Sequence, residues 1–118
     1  MAEFGYLVGW GSAKAGREVA AGRVFEEAMA YWNGLQASGE IESFEVVILG
    51  AYGGDLQGFA LLRGDREKLV LLRMTADFVR IVARAEACLD NVGVVEAYVD
   101  GGARRLMETW EAAIVDLV

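Results

Sequence analysis

Few residues in this chain can do chemistry alone, and the shortage is informative. There is no histidine and only one cysteine, Cys88, among 118 residues. A catalytic thiolate needs an activating neighbour, commonly histidine, so Cys88 in its helical setting Ala85-Glu86-Ala87-Cys88-Leu89 reads as a packed thiol. Without His or a second Cys, only carboxylates remain as metal ligands, and these suit Mg²⁺ or Ca²⁺. Glu26, Glu27, Glu40, Glu42 and Asp55 have no ligand spacing and read as solvated charges. No metal and no cofactor is therefore expected.

Two further runs fall short of a motif. Gly9-Trp10-Gly11-Ser12-Ala13-Lys14-Ala15-Gly16 follows a strand and precedes a helix, the right context for phosphate. However, Lys14 stands where a dinucleotide fingerprint needs glycine, and Arg17-Glu18 follows where a P-loop needs Lys-Ser/Thr. The run is a βα connection in which Lys14 and Arg17 leave a weak anion site. Tyr31-Trp32-Asn33 sets two aromatic rings and an amide in a row. Consecutive helical residues point about 100° apart, so the three diverge and Trp32 belongs to the core stripe. Arg104 and Arg105 open the last helix, where its dipole disfavours cations, and Arg104 can pair with Glu108 one turn on.

The richest constellation comes from strands. Period-two counting sorts their residues into two sets. One is small or aliphatic: Leu7, Gly9, Val46, Ile48, Ala60, Leu62, Val95 and Ala97. It suits close packing beneath helices. The other mixes aromatic and polar groups: Tyr6, Trp10, Glu45, Gln57, Phe59, Arg63, Glu96 and Tyr98. Apolar walls with a few placed polar groups are what a ligand cleft has. The ligand-binding set expected is Tyr6, Trp10, Phe59, Arg63, Glu96 and Tyr98. Glu96, a charge in mid-strand, should be protonated, paired with Arg63, or hydrogen-bonded to a tyrosine or ligand.

The elements that must position these residues follow from pattern. Gly5–Gly11 reads as a strand, and 17–38 as a helix with Ala21, Val24, Phe25, Ala28, Trp32 and Leu35 on one stripe. Gly39 ends that helix. Ile41–Gly50 and Gln57–Arg63 are strands joined through Gly53-Gly54-Asp55. Asp65 caps a short helix, and Thr75 caps a second piece carrying Phe78, Ile81, Val82, Ala85 and Leu89. Gly93–Val99 is a fourth strand and Ala103–Leu117 a last helix. This order predicts a single α+β domain over residues 1–118. Its fold is the ferredoxin-like β-α-β-β-α-β with an extra C-terminal helix and a four-stranded antiparallel sheet.

Composition narrows the partners. Hydrophobic residues make up 55% of the chain, yet no run of ~20 apolar residues occurs that could cross a bilayer. Strands apolar on both faces predict a homodimer. A net charge of −7 disfavours nucleic acid and anionic membrane surfaces. One unpaired cysteine and an N-terminus without a basic flank predict a reducing, cytoplasmic setting.

The element order, the split second helix and the run Tyr31-Trp32-Asn33-Gly34-Leu35-Gln36-Ala37-Ser38-Gly39-Glu40-Ile41-Glu42-Ser43-Phe44-Glu45 resemble the dimeric α/β-barrel superfamily. That superfamily includes YCII-related proteins and cofactor-free monooxygenases. The chain is also similar to small bacterial proteins of this size whose function is unknown. The resemblance implies two sheets packed face to face, with a pocket between sheet and helices or within the barrel. YCII-like proteins carry a His-Asp pair and the haem-degrading branch a His ligand. This chain has no His, so neither chemistry carries over. The expected function is binding of a small apolar or aromatic molecule in a sheet-lined pocket. A dimerising interaction module without a ligand is the alternative, and a cofactor-free monooxygenase-like enzyme the second.

Overall fold

The computed structural model describes residues Ala2–Leu117. Its elements are β1 (Phe4–Trp10), α1 (Glu18–Ala37), β2 (Ser43–Ile48), β3 (Gly58–Gly64), α2 (Arg66–Arg73), α3 (Ala76–Cys88), β4 (Gly93–Tyr98) and α4 (Gly101–Ile114), with a 3₁₀ turn over Val115–Leu117. The sheet order is β2-β3-β1-β4, antiparallel throughout. That interleaved order is the ferredoxin-like topology, in which each βαβ unit straddles a strand of the other.

Local chemistry sets the element ends. Gly39 takes φ +80°, a conformation that costs residues with a Cβ. There the Glu40 N–H donates to the Leu35 carbonyl at 2.9 Å and the Gly39 N–H to Gln36 at 3.2 Å, a Schellman stop for α1. Asp65 accepts from the Lys68 N–H at 3.2 Å and Thr75 from the Phe78 N–H at 3.4 Å. These two caps restart the chain as separate helices at the positions the sequence predicts.

The helices cover one face of the sheet. Beneath them lie Phe4, Tyr6 and Val8 of β1, Ala60 and Leu62 of β3, and Phe44 and Val46 of β2, meeting Trp32, Leu35, Leu69, Leu72, Phe78 and Ile81 from the helices. Ile41, Leu62 and Leu69 are fully buried. A large residue on β1 faces a small one on β3: Phe4 opposite Gly64, Val8 opposite Ala60, Trp10 opposite Gly58. At Gly58 the fit is tight, since a Cβ there would lie 2.8 Å from the Trp10 ring.

This pairing corrects the predicted division of the strands. Tyr6 lies opposite both Leu62 and Glu96, and Phe4 opposite Tyr98, so these residues share the helix-covered face. Gly9 lies opposite Phe59, and Gly5 opposite Arg63 and Ala97, on the other face. Hence Tyr6, Trp10, Glu96 and Tyr98 are separated by the sheet from Phe59 and Arg63. Leu7, Gly9, Val95 and Ala97, expected beneath the helices, are on the open face instead. The alternation within each strand holds. The phase between strands differs, because it is set by cross-strand pairing rather than by similarity of residue type.

The open face is apolar. Leu7, Val47, Phe59 and Leu61 line it with Ala97, and Val95 is 56% exposed there. Its charges gather at one end, where Arg63 meets Glu45 at 3.2 Å and Asp100 at 3.8 Å.

On the far side, Arg84 of α3 donates from Nε and Nη2 to the two Glu27 oxygens of α1, each at 2.8 Å. This fork holds the Glu27 carboxyl below its ordinary 4.5 through the Arg84 hydrogen bonds. A lowered carboxyl pKa adds stability above the unfolded-state value and loses it as pH falls through the folded-state value. The α1–α3 contact is therefore expected to loosen only below pH 4.5, in acid. Amide exchange in α1 and α3 followed from pH 6 to pH 3 checks this. An Arg84→Gln variant should lose that pH dependence, and equal acid sensitivity in variant and parent would contradict it.

Candidate functional site

The crossing of α1 and α3 over β1 leaves a gap. Small side chains create it: Ala21 and Ala28 on α1 and Ala85 on α3. Around them stand Trp10, Phe25, Trp32 and Ile81, and the partly open cavity measures about 220 Å³. Trp32 is core, 3% exposed, and forms the floor with Val8. Phe25, 36% exposed, meets Trp10 edge to face with ring centroids 6.0 Å apart. That pair stands where the cavity reaches solvent.

The wall has an unusual chemical uniformity. Its side chains are all hydrocarbon apart from the indoles of Trp10 and Trp32. No carboxylate, amine, hydroxyl or thiol lines it, so it holds no group to donate or accept a proton at neutral pH. What it can do is hold an apolar molecule by contact. An apolar cavity of roughly 150 Å³ admits a benzene-sized molecule. This one fits a single substituted ring or a short branched chain.

The residues expected from sequence distribute as follows. Trp10 lines this cavity. Tyr6 is buried under the helices, with the Arg73 guanidinium 5.1 Å over its ring. Tyr98 packs edge to face on Phe4 at 5.7 Å and donates its hydroxyl to Glu96 at 3.1 Å. Glu96 thus has a tyrosine partner, as one of its predicted outcomes required, but it is exposed at an edge strand and remote from Arg63. Phe59 and Arg63 are across the sheet. The six do not converge on one site. Phe25, Ala28, Trp32, Ile81 and Ala85, which do converge, fall on the helical stripes that periodicity assigns to core. The signal for a gap was the alignment of alanines on two facing stripes.

The other predicted groups form no second site, and the buried Tyr31 hydroxyl has no hydrogen-bond partner among the described residues. Lys14 lies 4.0 Å from Asp90. Tyr31 turns towards α2 and α3, where burial pushes its hydroxyl pKa up, while Asn33 faces solvent. Among the described residues no three His, Cys, Asp or Glu side chains gather as a metal site. A wider cleft of about 740 Å³ opens where α4 leaves the body. It is shallow, and of its charges all but Glu42 are committed: Glu3 to Arg105, Asp65 to capping α2, and Arg66 over the Phe4 ring at 5.1 Å.

No family model matches the chain, and no curated protein matches it. Solved structures do. A Dabb family protein with a ferredoxin-like fold from Mesorhizobium loti is 16% identical, with a TM-score of 0.62 over 83% of this chain and 97% of its own. A dimeric ferredoxin-like protein of unknown function from Jannaschia is 17% identical, with a TM-score of 0.61 over 82% and 98%. A dimeric protein of unknown function and ferredoxin-like fold from Bacteroides fragilis is 12% identical, with a TM-score of 0.58 over 81% and 95%. At these identities the shared property is the fold.

Proposed function

We propose that this chain is a small-molecule binding protein that works as a homodimer. Its ligand is a single-ring or similarly compact apolar molecule, seated between α1, α3 and β1. The observation that carries the reading is the 220 Å³ cavity with an all-apolar wall. A core without a purpose would close such a gap, because atoms that face a void forgo their van der Waals neighbours and the fold is weaker for it. The dimer rests on the open sheet face, whose exposed apolar strands are a liability in a monomer. Two of the similar structures are themselves described as dimeric. A cytoplasmic setting fits the buried, unpaired Cys88 thiol. Among the described residues no helix is long and apolar enough to cross a membrane.

Kinship with YCII-related proteins rests on element order and the Tyr31–Glu45 run, without their His. The reading as a cofactor-free monooxygenase is the weaker one. It needs polar groups converging on a substrate, and Tyr31 and Asn33 point away from the cavity that Trp32 lines.

The test is to titrate the protein with phenol, benzyl alcohol and indole while following Trp10 and Trp32 indole signals by NMR. Saturable shifts confined to cavity residues are expected. Ala85→Leu, which fills the gap from α3, should abolish those shifts and leave the melting temperature unchanged or raised. Absence of saturable shifts in the parent, or persistence of the same shifts in the filled variant, would overturn the reading.

A further inference from the structure

The last helix is the part of this molecule with least to hold it. We infer that α4 is an exchanged arm, which lays its apolar stripe on a second copy of the chain. The inference rests on the homodimer proposed above and adds to it the element that completes the interface.

The stripe is legible by residue. Leu106, Met107, Trp110, Ala113 and Ile114 recur at spacings of three and four. Arg104, Arg105, Glu108 and Glu111 occupy the remaining positions. Within the chain that stripe is uncovered: Met107 is 55% exposed, Trp110 57% and Ile114 54%. The contacts of α4 are chiefly with its neighbours in sequence, β4 before it and the 3₁₀ turn after it.

Its departure from the body is built in. Asp100 adopts φ +51°, an uncommon value for a residue with a side chain, and turns the chain sharply. Gly102 then sits against the Glu3 carbonyl so closely that a Cβ would collide with it. Arg105 grips the Glu3 carboxylate with its two terminal guanidinium nitrogens, Nη1 and Nη2. The root is therefore fixed while the distal turns stand free. The shape records this: the radius of gyration is 16.2 Å, against about 13.5 Å for a compact domain of this length.

Three observations select a second copy as the partner. First, the same chain carries a second uncovered apolar surface, the open sheet face, and β4 belongs to it immediately before α4 begins. Second, four strands of six or seven residues cover only about 400 Å² in projection, whereas a stable interface takes about 800 Å² of accessible surface per partner. An arm about 21 Å long makes up the difference, and twofold symmetry supplies it twice. Third, the polar side of α4 mixes both signs and the chain carries −7, which does not suit an anionic bilayer. The similar structures also match a share of this chain close to the size of its β1–β4 core, which leaves room for α4 as an addition.

The experiment uses full-length chains: the parent, the arm variant Met107→Glu with Trp110→Glu, and the sheet-face variant Leu61→Asp. Sedimentation reads the dimer constant, and hydrogen exchange reads α4. The parent should be dimeric with α4 amides protected. The arm variant should dimerise at least tenfold more weakly. Leu61→Asp should be monomeric and lose protection in α4. If Leu61→Asp dissociates the dimer while the arm variant dimerises like the parent, the sheet-face dimer stands and the arm falls. If α4 is equally protected in monomeric Leu61→Asp, it is covered by its own chain and the inference is overturned. A monomeric parent overturns both, as would parent α4 protected only on addition of phosphatidylserine vesicles.

Discussion

Leu61→Asp should dissociate the dimer without unfolding the protomer. Leu61 lies mid-strand on the open face, opposite Leu7 of β1 and Glu45 of β2. Its side chain takes no part in the core beneath the helices, so the protomer loses little. Across a packed interface the cost is different. A carboxylate removed from water without a partner costs at least about 2 kcal/mol. A symmetric dimer carries two of them, so the dissociation constant should rise by about a thousandfold. Sedimentation across a concentration series measures this, with far-UV circular dichroism as the check on folding. A dimer constant equal to the parent's would mean that the sheet face is not the interface.

Trp32→Ala should have the largest effect on stability. The indole lies in the core against Phe44, ring centroids 6.0 Å apart, and also forms the floor of the cavity. Truncating a buried tryptophan costs about 3–5 kcal/mol, from the transfer energy of the missing atoms and the void left behind. Small domains have only about 5–15 kcal/mol in total. Relaxation is hindered here because the neighbouring space is already open, so the cost should fall in the upper part of the range. Urea denaturation gives the number. The void would merge with the 220 Å³ cavity, and the variant should accept bulkier two-ring probes that the parent rejects. A loss below about 1 kcal/mol would show that the surrounding helices collapse freely and that the cavity is not held open by its frame.

Both expectations come from the same division of the sheet, and this is where sequence and tertiary structure part. Element order, helix breaks and caps were legible because they depend on neighbours in sequence. Asp65 and Thr75 offer oxygens to the N–H groups three residues on. Gly39 alone could take φ +80° at low cost after Leu35. The α1 and α3 stripes were equally local. Period two within each strand was legible for the same reason.

What the chain could not declare strand by strand was which half of β1 and β4 joins which half of β2 and β3. That depends on hydrogen-bond register between segments some fifty residues apart, as when Tyr6 falls opposite Leu62. Chemical likeness was the wrong guide. The better one was steric complementarity, which sets Phe4 against Gly64 and Trp10 against Gly58. The cavity lies still further from sequence. Each of Ala21, Ala28 and Ala85 is an ordinary small residue on its own element, and only the crossing of two helices over one strand adds their missing volumes together. Local interactions thus determined the parts and their ends, while the relative placement of the parts decided where the space is, because a void is a property of packed neighbours and not of any segment.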